Sequence, residues 1–188
     1  MDGWLYEKIN GLAGHHRYLD GLMSAVARFG PFLLAAWCLV LWFEPGTREE
    51  RTLKQKAAVI AAAATLLALG VNQVVIRIWQ RPRPYTAHPA TLLLHATRDP
   101  SFPSDHAAMS FAIATVLVLM SWRIGVWALL FAALAAVSRV YVGEHYVTDV
   151  LGGAAVGVAA GAALYALRRY ADPLLDPLLR ALRRVRLA

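Results

Sequence analysis

Hydrophobic and polar positions fall into long blocks along this chain, not into the short alternations of a soluble domain. Apolar runs cover residues 19–43, 57–79, 103–121, 125–142 and 145–167. The last three are each about 18–23 residues long, close to the roughly 20 needed to cross hydrocarbon as a helix. The first is broken by Arg28 and by Gly30-Pro31, and a bend near the proline is expected. The second holds Asn72 and Gln73, which are assigned to hydrogen bonds between helices in preference to catalysis. Residues 44–56, EPGTREERTLKQK, form a polar loop, and SWRIG a tight turn. Residues 80–102 form a long proline-rich polar loop of the kind that is often functional, with Leu92 to Leu94 dipping into the membrane interface. The pattern predicts an all-α fold, a polytopic membrane bundle of about five to six transmembrane helices.

The two ends read differently. Residues 1–18 mix Trp4, Leu5, Ile9 and Leu12 with Lys8, His15, His16 and Arg17. This predicts a short interfacial helix or a poorly fixed arm. His15-His16 is read as an exposed surface pair in preference to a metal site. The opening MDGWLYEKIN lacks the basic n-region and short apolar core of a cleaved signal peptide. Residues 169–188 carry Arg180, Arg183, Arg184 and Arg186 among leucines, which suits a basic cytoplasmic tail on an anionic membrane surface. The division expected is therefore an interfacial segment 1–18, a transmembrane domain 19–168 and a tail 169–188. Within the domain, Gly153, Gly157 and Gly161 recur every fourth position and predict a close-packing helix face.

Composition agrees. Of 188 residues, 59% are hydrophobic and 16% charged, with mean hydropathy +0.48, whereas soluble domains run about 45–50% apolar. The net charge of +7 flanks the apolar blocks, so lipid headgroups and orientation signals explain it better than nucleic acid does. Cys38 is the single cysteine, which excludes an intrachain disulfide. Five spans put Arg48, Arg51, Lys54, Lys56, Arg123, Arg168, Arg169 and the tail arginines on one side, the cytoplasmic one by the positive-inside rule. The 80–102 loop and the 139–145 junction then face outward. Arg77, Arg81, Arg83 and Arg139 on that side run against the rule, and binding an anion is a reason to do so.

Three polar clusters gather on the outer side: RPRP (Arg81 to Pro84), SFPSDH (Ser101 to His106) and SRVYVGEHYVTDV (Ser138 to Val150). An ionisable residue deep in a membrane helix costs roughly 2.5–3.5 kcal/mol, so these groups belong at helix ends or in a shared wet cavity. In the third cluster His145 and Asp149 are four apart and share a face on a helix, where a carboxylate can hold the imidazole in one tautomer. Arg139 lies across a Gly143 turn and is placed to bind an anion. In the second cluster Pro103 suits a first helical turn, whose free N–H groups favour an anion. Ser104 adds a donor and His106 a proton source. The plainer readings are a polar helix end for the third cluster and an N-capping serine with an incidental histidine for the second. Together the parts make an anion cradle (Arg83, Ser104, Arg139), a nucleophile with its carboxylate (His145, Asp149) and an acid (His106). Such equipment suits phosphoryl transfer through a phosphohistidine. No Walker loop or CxxC pattern is present. Two rivals are a metal site of Asp105, His106, His145 and Asp149, which EDTA would abolish, and a non-enzymatic scaffold or transporter, which would be indifferent to His145→Ala.

These residues resemble the type 2 phosphatidic acid phosphatase superfamily, whose signature is K-x6-R-P, P-S-G/D-H and S-R-x5-H-x3-D. The third part is complete in Ser138, Arg139, His145 and Asp149, and the second stands as Pro103, Ser104, Asp105 and His106. The first departs: the lysine position is Ile76 counted from Arg83, or Val74 counted from Arg81, with Arg77 one residue off. Arg83 is favoured over Arg81 as the anchor because Pro84 and Tyr85 follow it. The resemblance covers roughly residues 55–168. It implies a haloperoxidase-like helical core, His145 as nucleophile, His106 as general acid and Asp149 as the partner of His145. It also implies phosphate binding by Arg83, Ser104 and Arg139, with Asp105, Arg77 and Arg81 as further candidates, and no metal or other cofactor. NQ before RPRPY, together with SFPSDHA, looks most like bacterial undecaprenyl-diphosphatases of the bacitracin-resistance type. That implies a lipid substrate, undecaprenyl diphosphate, handled at the outer face of the plasma membrane during cell-wall carrier recycling. Phosphatidic acid or phosphatidylglycerol phosphate is the alternative substrate.

Overall fold

A computed structural model describes residues 2–184, and the secondary structure of those residues is entirely helical. The order is α1 (Asp2–Asn10), α2 (Arg17–Phe43), α3 (Arg48–Ile78), α4 (Asp105–Met120), α5 (Trp122–Tyr141), α6 (Val147–Ala166) and α7 (Arg168–Arg184), with a 3-10 turn at Pro84–Thr86 before α4. Helices α2, α3, α5 and α6 are long and apolar enough to cross a membrane. Helix α4 has 16 residues, about 24 Å at 1.5 Å per residue. It is apolar on all sides because it is the centre of the bundle, packed by α2, α3, α5 and α6. The result is a multi-pass membrane bundle organised around one short buried helix.

Small residues set the spacing of that centre. A side-chain carbon at Gly153 would lie 2.2 Å from the Ser104 carbonyl oxygen, and one at Gly157 would lie 2.3 Å from that of Ala108. Helix α6 therefore rests against α4 backbone to backbone, as the glycine spacing predicts. This approach lets the Ser104 N–H donate to the Asp149 carbonyl at 3.0 Å, locking the first turns of α4 and α6 together.

Several expected boundaries move. The polar loop after α2 shrinks to residues 44–47, because Thr47 caps α3: its Oγ1 accepts from the Glu50 N–H at 3.2 Å while Glu50 accepts from the Thr47 N–H at 2.8 Å. This Thr-x-x-Glu capping box starts the helix at Arg48, so that REERTLKQK is helical. The SWRIG turn reduces to Ser121 alone, with Trp122–Gly125 already inside α5. Pro103 precedes the capping residue Ser104 and so stands outside the first turn of α4. Leu93 and Leu94 pack, half-buried, on the cluster of Ala13, Met23, Ala27, Tyr141 and Val142.

The ends are also more tightly held than a surface arm would be. Helix α1 docks on α5 and α6 with Tyr6 and Asn10 buried. Asn10 Nδ2 donates to the carbonyls of Tyr141 (2.8 Å) and Thr91 (2.9 Å). Helix α1 is thus part of the bundle, although His15 and His16 beyond it are exposed. At the other end Lys56 of α3 pairs with Asp172 and Asp176 of α7, both at 2.7 Å, and Leu179 is buried. Helix α7, Arg168–Arg184, is fastened to α3; Arg186 lies outside the described residues.

Candidate active site

Arg83, His106, Arg139 and His145 line one cavity of about 430 Å³, with Gln73, Ile76 and Asp105 among its other walls. Each comes from a different element. Ile76 and Gln73 lie in the last turns of α3, Arg83 in the loop, Asp105 and His106 in the first turn of α4, and Arg139 in the last turn of α5. His145 follows a turn at Gly143, whose φ of +90° suits glycine.

The His145 imidazole is almost wholly buried. Its Nδ1 is 2.9 Å from the Ser101 carbonyl oxygen and 3.7 Å from Asp149 Oδ2. A carbonyl only accepts, so Nδ1 carries the proton, and in the neutral ring Nε2 keeps its lone pair. Burial pushes the imidazole well below its ordinary value, to about 4, against the opposing pull of Asp149, so the ring is neutral near pH 7.

Here the expectation that His145 and Asp149 share a face of one helix is corrected. His145 lies ahead of α6, not on it, and 3.7 Å is too long for a direct hydrogen bond. Asp149 is instead saturated by others. Its Oδ2 accepts from the Tyr146 N–H at 2.8 Å and from Ser101 Oγ, and its Oδ1 accepts from Arg81 Nη1 at 2.7 Å. The carboxylate therefore reaches the imidazole through Ser101, which bonds Asp149 with its hydroxyl and His145 with its carbonyl.

The cationic wall is Arg83 and Arg139. Arg83 donates from Nε to the Asp99 carbonyl (2.9 Å) and from Nη1 to the Glu144 carbonyl (3.1 Å). Arg139 is buried, pairs with Glu144 through Nη2, and donates from Nη1 to the Ala27 carbonyl at 3.1 Å. Its buried Nε has no hydrogen-bond partner among the described residues. Such a donor set, with a neutral imidazole opposite, can hold a tetrahedral anion and attack it.

Of the other candidates only Asp105 lines the cavity. Ser104 is fully buried, does not line the cavity, and accepts from the Ala107 N–H at 3.5 Å as the cap of α4. Asp105 does line it and accepts from Asn72 Nδ2 at 2.7 Å, the interhelical bond expected of Asn72. Arg77 is exposed and away from the wall, whereas Ile76 is in it. Arg81 is also absent from the wall, being held by Asp149, Asp2 and Thr148. The register of the first motif is thus Ile76 to Arg83. Sequence reasoning missed Ser101, whose contribution is a backbone carbonyl that no residue type announces. It also missed Glu144, although a carboxylate beside His145 in an apolar junction was a signal.

Residues 57–173 match the PAP2 superfamily. The chain belongs to that family. Undecaprenyl-diphosphatase BcrC of Bacillus subtilis (strain 168) is 28% identical over 180 residues, 96% of this chain and 91% of that protein. The crystal structure of Aquifex aeolicus LpxE matches with a TM-score of 0.71 at 27% identity, covering 86% of this chain and 92% of that one. The first transmembrane PAP2 type phosphatidylglycerolphosphate phosphatase from Bacillus subtilis shares the fold, with a TM-score of 0.65 at 23% identity over 90% and 85% of the two chains. This PAP2 protein is a membrane phosphatase, and its cavity is where the family's second and third motifs converge.

Proposed function

We propose that this protein hydrolyses undecaprenyl diphosphate to undecaprenyl phosphate and inorganic phosphate through a phosphohistidine on His145. The observation that carries the reading is the convergence of Arg83, His106, Arg139 and His145 on one cavity. The terminal phosphate sits between the two guanidinium groups, which neutralise its oxygens as charge shifts in the transition state. His145 Nε2 attacks the terminal phosphorus; the P–N bond forms as the bridging P–O bond breaks. His106 gives its proton to the departing lipid phosphate. Water then enters, gives a proton to His106 and its oxygen to phosphorus, and the P–N bond breaks to release inorganic phosphate. Ser101 keeps the Nδ1–H directed away from the phosphorus throughout.

The cavity lies at the end of the bundle opposite the Lys56–α7 contact, between the end of α3, the start of α4 and the end of α5. By the distribution of basic residues this end is the outer face of the plasma membrane. Regenerating the carrier monophosphate there also implies protection against bacitracin. The test is phosphate release from undecaprenyl diphosphate by the purified protein in detergent with EDTA, beside His145→Ala and with phosphatidic acid as second substrate. Faster release from the diphosphate by wild type alone is expected. A preference for phosphatidic acid would keep the mechanism and move the role to phospholipid metabolism. Release by His145→Ala at the wild-type rate would overturn the mechanism.

A further inference from the structure

The first turn of α1 reaches the carboxylate behind His145 through Arg81. Arg81 Nη2 donates to Asp2 Oδ2 at 2.6 Å, and Arg81 Nη1 donates to Asp149 Oδ1 at 2.7 Å. The guanidinium lies over the Tyr146 ring, 4.1 Å from its centroid. The Arg81 carbonyl accepts from the Ser101 N–H at 2.8 Å. Arg81 thus fixes both groups that govern His145: Asp149 by its side chain and Ser101 by its backbone. Asp2 is held in turn by the Thr148 N–H at 3.2 Å and by the Thr148 hydroxyl. Burial opposes the Asp2 carboxylate, but the bonds from Thr148 and Arg81 prevail and hold it below its ordinary value.

We infer that Asp2 and Arg81 are positioning residues for the hydrolytic site, and that α1 is a working part of it. Without Asp2, Arg81 has one carboxylate partner instead of two. Its guanidinium can then swing toward solvent, and Asp149 loses the clamp that keeps Ser101 against His145. Asp149 must stay fixed and ionised while His145 attacks, so turnover suffers and phosphate binding does not.

The inference rests on the phosphatase reading, and the experiment separates the two. Asp2→Asn, Asp2→Glu, Arg81→Gln and the Asp2→Asn/Arg81→Gln double variant are compared with wild type on whichever lipid phosphate wild type cleaves. Asp2→Asn is expected to lower kcat about tenfold with KM unchanged, the scale of one lost charge-assisted hydrogen bond. Asp2→Glu restores most of the rate. The double variant is no slower than Arg81→Gln, because both changes break one chain. Unchanged kcat in Asp2→Asn, a loss confined to KM, or additive losses in the double variant would each overturn it. Hydrogen exchange at the Tyr146 amide gives an answer without turnover. Asp2→Asn should speed exchange there, and an unchanged rate would overturn the inference even if no substrate is found.

Discussion

Pro31 and Arg139 meet at one atom, the carbonyl oxygen of Ala27. Proline has no N–H, so residue 31 cannot donate to the carbonyl four residues back, and Ala27 is left with an open acceptor inside α2. Arg139 Nη1 fills it at 3.1 Å. The contact is possible because Gly30 lets α2 approach α5 closely: a side-chain carbon there would be 3.0 Å from Ala135 Cβ. Pro31, read from the sequence as the place of a bend, lies inside the continuous helix α2 and frees the acceptor that anchors the cavity-lining Arg139.

Pro31→Ala restores a competing N–H at Ala27. The expected result is a several-fold rise in KM with kcat nearly unchanged, the protein being at least as heat-stable as wild type, since an interior proline costs a helix about 3 kcal/mol. Steady-state kinetics and a thermal melt in detergent check it. A fall in kcat without a change in KM would disconnect Pro31 from substrate binding.

Ser101→Ala removes the hydroxyl bonded to Asp149 but keeps the carbonyl bonded to His145. A loss of about tenfold in kcat is expected, the size of one charge-assisted hydrogen bond, against loss of turnover in His145→Ala. Equal damage from the two would mean that Ser101 does more than position the imidazole. Single-turnover rates distinguish them.

Gly153→Ala places a methyl group 2.2 Å from the Ser104 carbonyl oxygen, a backbone atom that cannot step aside. Overpacking of this kind costs roughly 1–3 kcal/mol. Because Ser104 caps α4 next to His106, activity should fall along with the melting temperature. A fully stable Gly153→Ala protein would contradict the backbone-to-backbone packing.

The pH dependence follows from His145. Burial lowers it from 6.5 to about 4, so the neutral, attacking form persists into acid. The acid limb of kcat/KM should lie below the ordinary histidine range, with activity falling as pH drops toward 4. The unfolded chain takes up that proton near 6.5 while the folded chain resists until about 4. The unfolded state thus binds more protons in this window. The His145 share of stability is present in full above 6.5 and is lost progressively down to about 4. Comparing melting temperatures of wild type and His145→Gln across that range measures it; an acid limb above pH 6.5 would contradict the burial argument.

Ile76 lines the cavity where the first motif has lysine. Ile76→Lys is expected to tighten phosphate binding, lowering the inhibition constant of inorganic phosphate about tenfold, as one added charge-assisted contact would. Arg77→Ala, on the exposed face, should change it little. Inhibition titrations of the two variants test the register, and the opposite ranking would restore Arg77 to the site.

What the sequence determined by itself is whatever depends on composition and local spacing. Apolar blocks near bilayer length specify membrane helices, because no other exit exists for twenty consecutive apolar residues. The Gly153-Gly157-Gly161 repeat specifies a close helix contact, and the histidines and arginines specify chemistry on an anion. Thr47-x-x-Glu50 is likewise a local signal, a capping box that outweighs the polarity of the segment. What only the tertiary structure decided is which polar group meets which. Arg81 and Arg83 are two residues apart in an extended loop, yet one clamps Asp149 while the other faces the cavity. Asp149 reaches His145 through a serine 44 positions before the histidine. Asp2 joins the site from the far end of the chain. Partner choice of this kind depends on small differences in distance between side chains from separate helices. Those distances are set by how α1, α4 and α6 pack, which no local run of residues encodes.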